Sequence, residues 1–121
     1  MKSNLSIFKK IMSYASGTVV EMSDSTVTPG LHVYCLRGKL QMNSVNANYS
    51  EGPLRTAFEV EFRKLDLPGR NIKNTLILGF GAGSVASLLQ EKFNIDCAIT
   101  GVELDPEVIR LGEKYFKTKR F

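Results

Sequence analysis

The sequence predicts an α/β fold in which a small β-hairpin region precedes an incomplete parallel sheet. Three observations predict it. Residues 31–43 alternate their apolar positions on either side of a Gly-containing turn, the pattern of a half-buried hairpin. Two short apolar runs, residues 75–78 and 97–102, flank a stretch of helical period, and the order strand, helix, strand gives a parallel pair. Three glycines in five positions, "GFGAG", directly follow the first run. At 121 residues the chain makes one domain of modest size, long enough for a core but short for a complete doubly wound sheet.

Taken in order, residues 4–15 set Leu5, Ile7, Phe8, Ile11, Met12 and Ala15 at helical spacing, with Ser3 as cap and Lys9 and Lys10 on the opposite face. Such a short amphipathic helix is expected to pack on a core or a partner subunit rather than on a membrane. After Gly17, "TVVEMS" reads as a strand, and residues 31–43 form the hairpin around Arg37-Gly38-Lys39. Leu31, Val33 and Cys35 share one face, His32, Tyr34 and Leu36 the other. His32, the only histidine, lies within a strand and is read as a solvated or hydrogen-bonded side chain rather than a catalytic base. The polar residues 43–53 make a loop. A helix at 54–65 follows, with Leu54, Ala57, Phe58, Phe62 and Leu65 in period, and Leu67-Pro68-Gly69 stops it.

The chain thus divides into residues 1–66, an N-terminal helix with a small β-rich region and connecting helix, and residues 67–121, a β-α-β-α unit. In the second part both strands are expected to be buried, and Val85, Leu88, Leu89 and Phe93 give the intervening helix its apolar stripe. The last helix takes Asp105 as N-cap and Pro106 at its first position, where a missing N–H costs nothing. Val108, Ile109, Leu111, Gly112, Tyr115 and Phe116 form its buried side, and Lys114, Lys117, Lys119 and Arg120 suit the negative end of its dipole.

Composition narrows the function classes. With 43% hydrophobic and 23% charged residues, the chain is an ordinary globular sequence. Its net charge of +4 sits at the two ends: residues 1–20 hold three lysines and no acid, and residues 107–121 hold five basic against two acidic residues. No basic stripe interleaved with aromatics crosses the middle, so no nucleic-acid partner is expected. Cys35 and Cys97 lie in apolar stretches with no zinc or redox spacing, and are expected as buried free thiols of a reducing compartment. No apolar run approaches membrane-spanning length and no cleavable leader is evident, so a cytoplasmic protein without a membrane partner is expected. No metal-ligand cluster stands out either.

The chemistry centres on the glycines. Gly79, Gly81 and Gly83 lie where a parallel strand ends and a helix begins, the position at which open α/β sheets bind ligands. Glycine there permits unusual dihedrals and lets a ligand touch the main chain, while helix N–H groups favour a pyrophosphate or a carboxylate. Glu103, 20 residues beyond Gly83, ends the second strand. Neighbouring parallel strands set their C-terminal ends side by side, so this carboxylate can accept both hydroxyls of a ribose held over the loop. A nucleoside-containing cofactor follows. Counted from Gly81, the residues Gly81, Gly83 and Ala86 satisfy the G-x-G-x-x-A dinucleotide form, which leaves NAD as one cofactor.

Counted from Gly79, the loop reads G-x-G-x-G. "LILGFGAGSVA" followed by "ITGVELDPEVI" resembles the first two motifs of class I S-adenosylmethionine-dependent methyltransferases. Within that superfamily the chain resembles the spermidine-synthase-like branch, whose small N-terminal β-domain residues 17–51 are similar to. Gly38, Gln41, Tyr49 and Glu51 echo its glycine hairpin and glutamine followed by a tyrosine and an acid, with a one-residue gap between Gln41 and Tyr49. The resemblance covers residues 17–116 and implies an incomplete Rossmann-like sheet of methyltransferase type. It implies that Gly79, Gly81 and Gly83 line the amino-acid part of S-adenosylmethionine and that Glu103 holds its ribose. It adds Asp105, otherwise the helix cap, and Gln41 as cofactor contacts and Tyr49 as a substrate-pocket residue. Polyamine synthases carry an aspartate inside the glycine loop where this chain has Ala82, which points to methyl rather than aminopropyl transfer. The branch's catalytic and amine-gripping aspartates lie further along than residue 121, so no catalytic residue is named. The acceptor is expected to be a small molecule, such as an amine.

Two parallel strands leave unpaired edges. The sequence is therefore read as a truncated domain or as one completed by another copy, through edge pairing in a homo-oligomer.

Overall fold

A computed structural model describes residues 7–50 and 52–121. The order of elements is α1 (Ile7–Ala15), β1 (Thr18–Met22), β2 (His32–Leu36), β3 (Lys39–Asn43), α2 (Gly52–Lys64), β4 (Asn74–Leu78), α3 (Ser84–Ser87), β5 (Ala98–Val102) and α4 (Pro106–Leu111). Wider π-type turns continue α3 through Leu88–Lys92 and α4 through Gly112–Phe116, and 3-10 turns occupy Leu67–Gly69 and Thr118–Arg120. The result is a mixed α/β structure with a three-stranded antiparallel sheet, β1-β2-β3, and a two-stranded parallel sheet, β4-β5.

The hairpin turns on two residues. Leu36 pairs with Lys39, and Arg37 and Gly38 both take positive φ (49° and 76°), the twist that a tight hairpin needs. Leu31, Val33 and Cys35 are fully buried and the alternate residues are not, as the alternation predicts. Met42 faces Val33 across the ladder and completes that apolar face. His32 sits on the outer face with its Nδ1 2.8 Å from the Gly30 carbonyl oxygen. Both cysteines are free and buried.

A β-bulge between Val19 and Glu21 gives β1 an extra residue. Glu21 is thereby set opposite Val33, on the face that covers α4, and Val20 packs against the core. There the Glu21 carboxylate accepts from Lys114 Nζ (2.5 Å), Tyr115 hydroxyl (2.6 Å) and Arg110 (2.8 Å). Those donors, Lys114 first and then Tyr115, outweigh burial and hold Glu21 down at about 2.

Leu31, Val33 and Met42 meet Ala82, Val108 and Leu111 in one buried cluster. This core crosses the division expected near residue 67, so the small sheet and the glycine-loop segment share their interior. A second cluster, Leu89, Ile95 and Cys97, is closed by Phe62 of α2 and by Ile72, Val85 and Phe93.

Two expectations are corrected. The parallel strands are not buried on both faces: Ile77 is inside, but Leu76 and Leu78 are 62% and 75% exposed and β5 is largely open. The helices cover one face only, and among the described residues nothing covers the other. Ile109 of α4, expected on the buried side of its helix, is also exposed. The stripe of α1 is not buried on this chain's own core: Ile7, Phe8 and Ile11 are exposed, and just beyond the helix Tyr34 closes over Gly17. The expected cap Ser3 and first helical residues lie outside the described residues, as does Glu51. No helix among the described residues is long and apolar enough to cross a membrane.

Because folding depresses the Glu21 pKa, its contribution to stability is complete above the unfolded value near 4.5 and disappears as pH falls through about 2. Urea unfolding between pH 5 and 2 is expected to show a decline in stability that is shallower in Glu21→Gln, measured as the difference between the two pH profiles.

Candidate functional site

The parallel register aligns Leu78 with Val102, so the loop after β4 and the acid after β5 emerge side by side. All three loop glycines take positive φ: 77° at Gly79, 58° at Gly81 and 80° at Gly83. At two of them the chain itself also leaves no room for a side chain. A Cβ on Gly81 would lie 2.9 Å from the Tyr49 carbonyl oxygen, and one on Gly83 would press on Thr118 and Phe121 at 3.2–3.3 Å. The Cβ position of Gly79 faces open space. The close approach foreseen for a ligand is thus made at Gly81 and Gly83 by the chain itself, and only Gly79 remains open.

The N–H groups of the loop are fully engaged. Gly79 and Phe80 both donate to the Val102 carbonyl (2.9 Å each), Ala82 to that of Tyr49 (3.4 Å), and Gly83 to that of Phe80 (3.1 Å). Gly81 N–H donates to Glu103 Oε2 at 2.9 Å. It alone among these five is held by a side chain, and therefore by a group that rotation can withdraw. The other Glu103 oxygen, Oε1, accepts from the N–H groups of Leu104 (2.9 Å) and Asp105 (3.1 Å). One carboxylate thus joins the ends of the two strands, and the predicted loop and acid meet directly.

Beside this contact lies a cavity of about 230 Å³, lined by Phe80, Gly81, Gly101, Glu103, Glu113 and Phe121 among others. Phe80 lies across Gly101, whose missing side chain makes room for the ring, and meets Phe121 edge-on with centroids 6.4 Å apart. Lys119–Glu113 (3.2 Å) and Arg120–Glu91 (2.8 Å) pairs tether the turn that carries Phe121. Sequence reasoning named Gly81 and Glu103 but missed Phe80, Gly101, Glu113 and Phe121. A lone glycine inside the "ITGV" strand was the available signal, since it marks a close approach by another group.

The remaining candidates separate. Asp105 caps α4: Oδ1 accepts from Glu107 N–H (2.9 Å) and Oδ2 from Ser25 hydroxyl (2.5 Å), with the residue only 2% exposed. Burial pushes its pKa up, but hydrogen bonds from Ser25, Thr28 and the backbone of Glu107 and Val108 prevail and leave it below the ordinary value. The carboxylate is committed to the cap and to Ser25, and Asp105 lines neither cavity. Gln41 pairs across from Tyr34 on the outer face of the small sheet, because Leu40 and Met42 take the inner one, and it too lies away from both cavities. Tyr49 does reach the loop, through its carbonyl, and it is among the residues that line a second cavity of about 370 Å³ with Gly79, Leu78 and Phe58. Among the described residues no group of three or more His, Cys, Asp or Glu is placed to hold a metal ion.

No family model matches the chain, and neither the curated proteins nor the solved structures yield a match.

Substitution at Gly81 combines left-handed strain of about 1–2 kcal/mol with a main-chain clash, whereas Gly79 suffers the strain alone. Urea denaturation is expected to rank Gly81→Ala as the more destabilised of the two, by about 1 kcal/mol or more.

Proposed function

We propose that residues 67–121 form the first half of a Rossmann-like domain that binds S-adenosylmethionine, in a methyltransferase of the spermidine-synthase-like type. The observation that carries this is the 2.9 Å bond between Glu103 and Gly81, which sets a ribose-accepting carboxylate directly on the glycine loop at the ends of two parallel strands. Two features support the fit. Gly79, the glycine used only in the G-x-G-x-G register, is the one whose missing side chain leaves space. Glu103 also holds the only loop N–H that a ligand can take over without breaking main-chain bonds.

When bound, the ligand supplies a methyl group already activated by a sulfonium, so the protein's task is alignment. Glu103 turns from Gly81 toward the vicinal hydroxyls, and the freed N–H faces the ligand. Phe80 and Phe121, which cover the cavity, part to admit it and then exclude water around it. Ala82, packed in the core, offers no carboxylate for an aminopropyl donor's amine, which supports methyl transfer to a small-molecule acceptor.

One observation favours a second reading. Ala86 is fully buried, as the closing position of a Gly81–Gly83–Ala86 dinucleotide fingerprint must be for helix and strand to pack closely. NAD is then the ligand of the same loop.

Calorimetric titration separates the two. S-adenosylhomocysteine is expected to bind and NADH not, with Glu103→Ala weakening the former about 10- to 100-fold, the worth of hydrogen bonds to a charged group. Binding of NADH alone rejects the proposal in favour of the dinucleotide, and binding of neither rejects both.

A further inference from the structure

We propose that Ser25, on the loop between β1 and β2, is a positioning residue for Glu103, so that the small sheet sets the aim of the carboxylate that holds the ligand. What that ligand is rests on the function proposed above; the bonds that place Glu103 do not. The Ser25 hydroxyl accepts from the N–H groups of Val27 (3.2 Å) and Thr28 (2.9 Å). A hydroxyl has two lone pairs and a single proton, so with both acceptor sites taken the proton has one use left. It goes to the Asp105 carboxylate at 2.5 Å, 80 residues away in sequence. Thr28 is itself buried, and its carbonyl accepts from Leu31 N–H (3.2 Å), which ties this loop to the core of the small sheet.

Asp105 passes the constraint on through its main chain. One of its carboxylate oxygens is held by Ser25 and the other by Glu107 N–H, and hydrogen bonds to an ionised acceptor are stronger than neutral ones. With that side chain fixed on both oxygens, the Asp105 N–H is fixed too, and it donates to Glu103 Oε1 (3.1 Å) beside the N–H of Leu104 (2.9 Å). On the strand side the ladder ends at Val102, which pairs with Leu78. Only Glu103 and Leu104 therefore lie between two anchored points, and Leu104, 82% exposed, does not steady the turn with its side chain. Whichever way the Glu103 carboxylate turns, it starts from the orientation that these two N–H groups set. Ser23 provides the contrast. Its hydroxyl also crosses from the small sheet to α4, but to the Glu107 carboxylate (2.6 Å), whose other bonds go to Arg110.

Ser25→Ala is expected to remain folded by circular dichroism, since Glu107 N–H and Thr28 still hold Asp105. Calorimetric titration with S-adenosylhomocysteine is expected to show its dissociation constant raised about 3- to 10-fold, less than the direct loss in Glu103→Ala. Ser25→Thr keeps the hydroxyl and is expected to restore the parent value, and Ser23→Ala to bind as the parent does. Without ligand, hydrogen exchange at the Gly81 amide is expected to quicken in Ser25→Ala while the Val33 and Ile77 amides, inside the two ladders, exchange as in the parent. Unchanged affinity in Ser25→Ala, an equal loss in Ser23→Ala, no recovery in Ser25→Thr, or exchange that quickens uniformly would each overturn the positioning role. A parent that binds no S-adenosylhomocysteine rejects the proposed function instead, and the Gly81 amide then decides alone: faster exchange in Ser25→Ala supports the positioning role and unchanged exchange overturns it.

Discussion

The position of the glycine loop depends on the apolar seam in which Leu31, Val33 and Met42 press on Ala82, Val108 and Leu111. Ala82 is the small residue in the middle of the loop, and its burial draws the main chain of residues 79–83 under the small sheet. From there the Tyr49 carbonyl can reach Ala82 N–H, and Gly81 must lack a side chain. On the other side α4 supplies Val108 and Leu111, so the loop is gripped between two elements that are remote in sequence. Removing the small sheet would therefore disturb the loop itself, and the division of the chain near residue 67 is one of topology rather than of independent folding.

Within that frame Glu103 serves two ends at once. Its Oε1 satisfies the N–H groups of Leu104 and Asp105 as the chain leaves β5, and its Oε2 satisfies Gly81. A half-buried loop whose N–H groups lacked partners would carry a desolvation cost, and here the carboxylate relieves it. The arrangement resembles a latch, in which the acid stabilises the closed loop and, in the function proposed above, exchanges that bond for ligand hydroxyls.

Much of the local structure was legible because it follows from local rules. Alternation alone sorted Leu31, Val33 and Cys35 from His32, Tyr34 and Leu36, and Asp105-Pro106 announced the start of α4. The adjacency of Gly81 and Glu103 followed from strand parallelism plus spacing. Illegible were the features fixed by distant partners. Burial of β4 and β5 depends on what covers both faces, and an apolar run such as "TLIL" is the same whether one face or two are covered. Phe80 and Phe121 meet only because the chain after α4 folds back, which no motif encodes. Asp105 illustrates a different limit, since capping and ligand contact ask for the same residue in the same place, and no motif announces its bond to the distant Ser25.

The bulge in β1 carries a consequence for how this chain can vary in length. Excising Val20 would restore simple alternation with Glu21 still opposite Val33 and within reach of Arg110 and Lys114, and would cost only the packing of Val20 against the core. The bulge is therefore the one place in β1 where a residue can be lost without turning its neighbours to the other face, whereas a deletion elsewhere in the strand would have to be absorbed by losing the bulge.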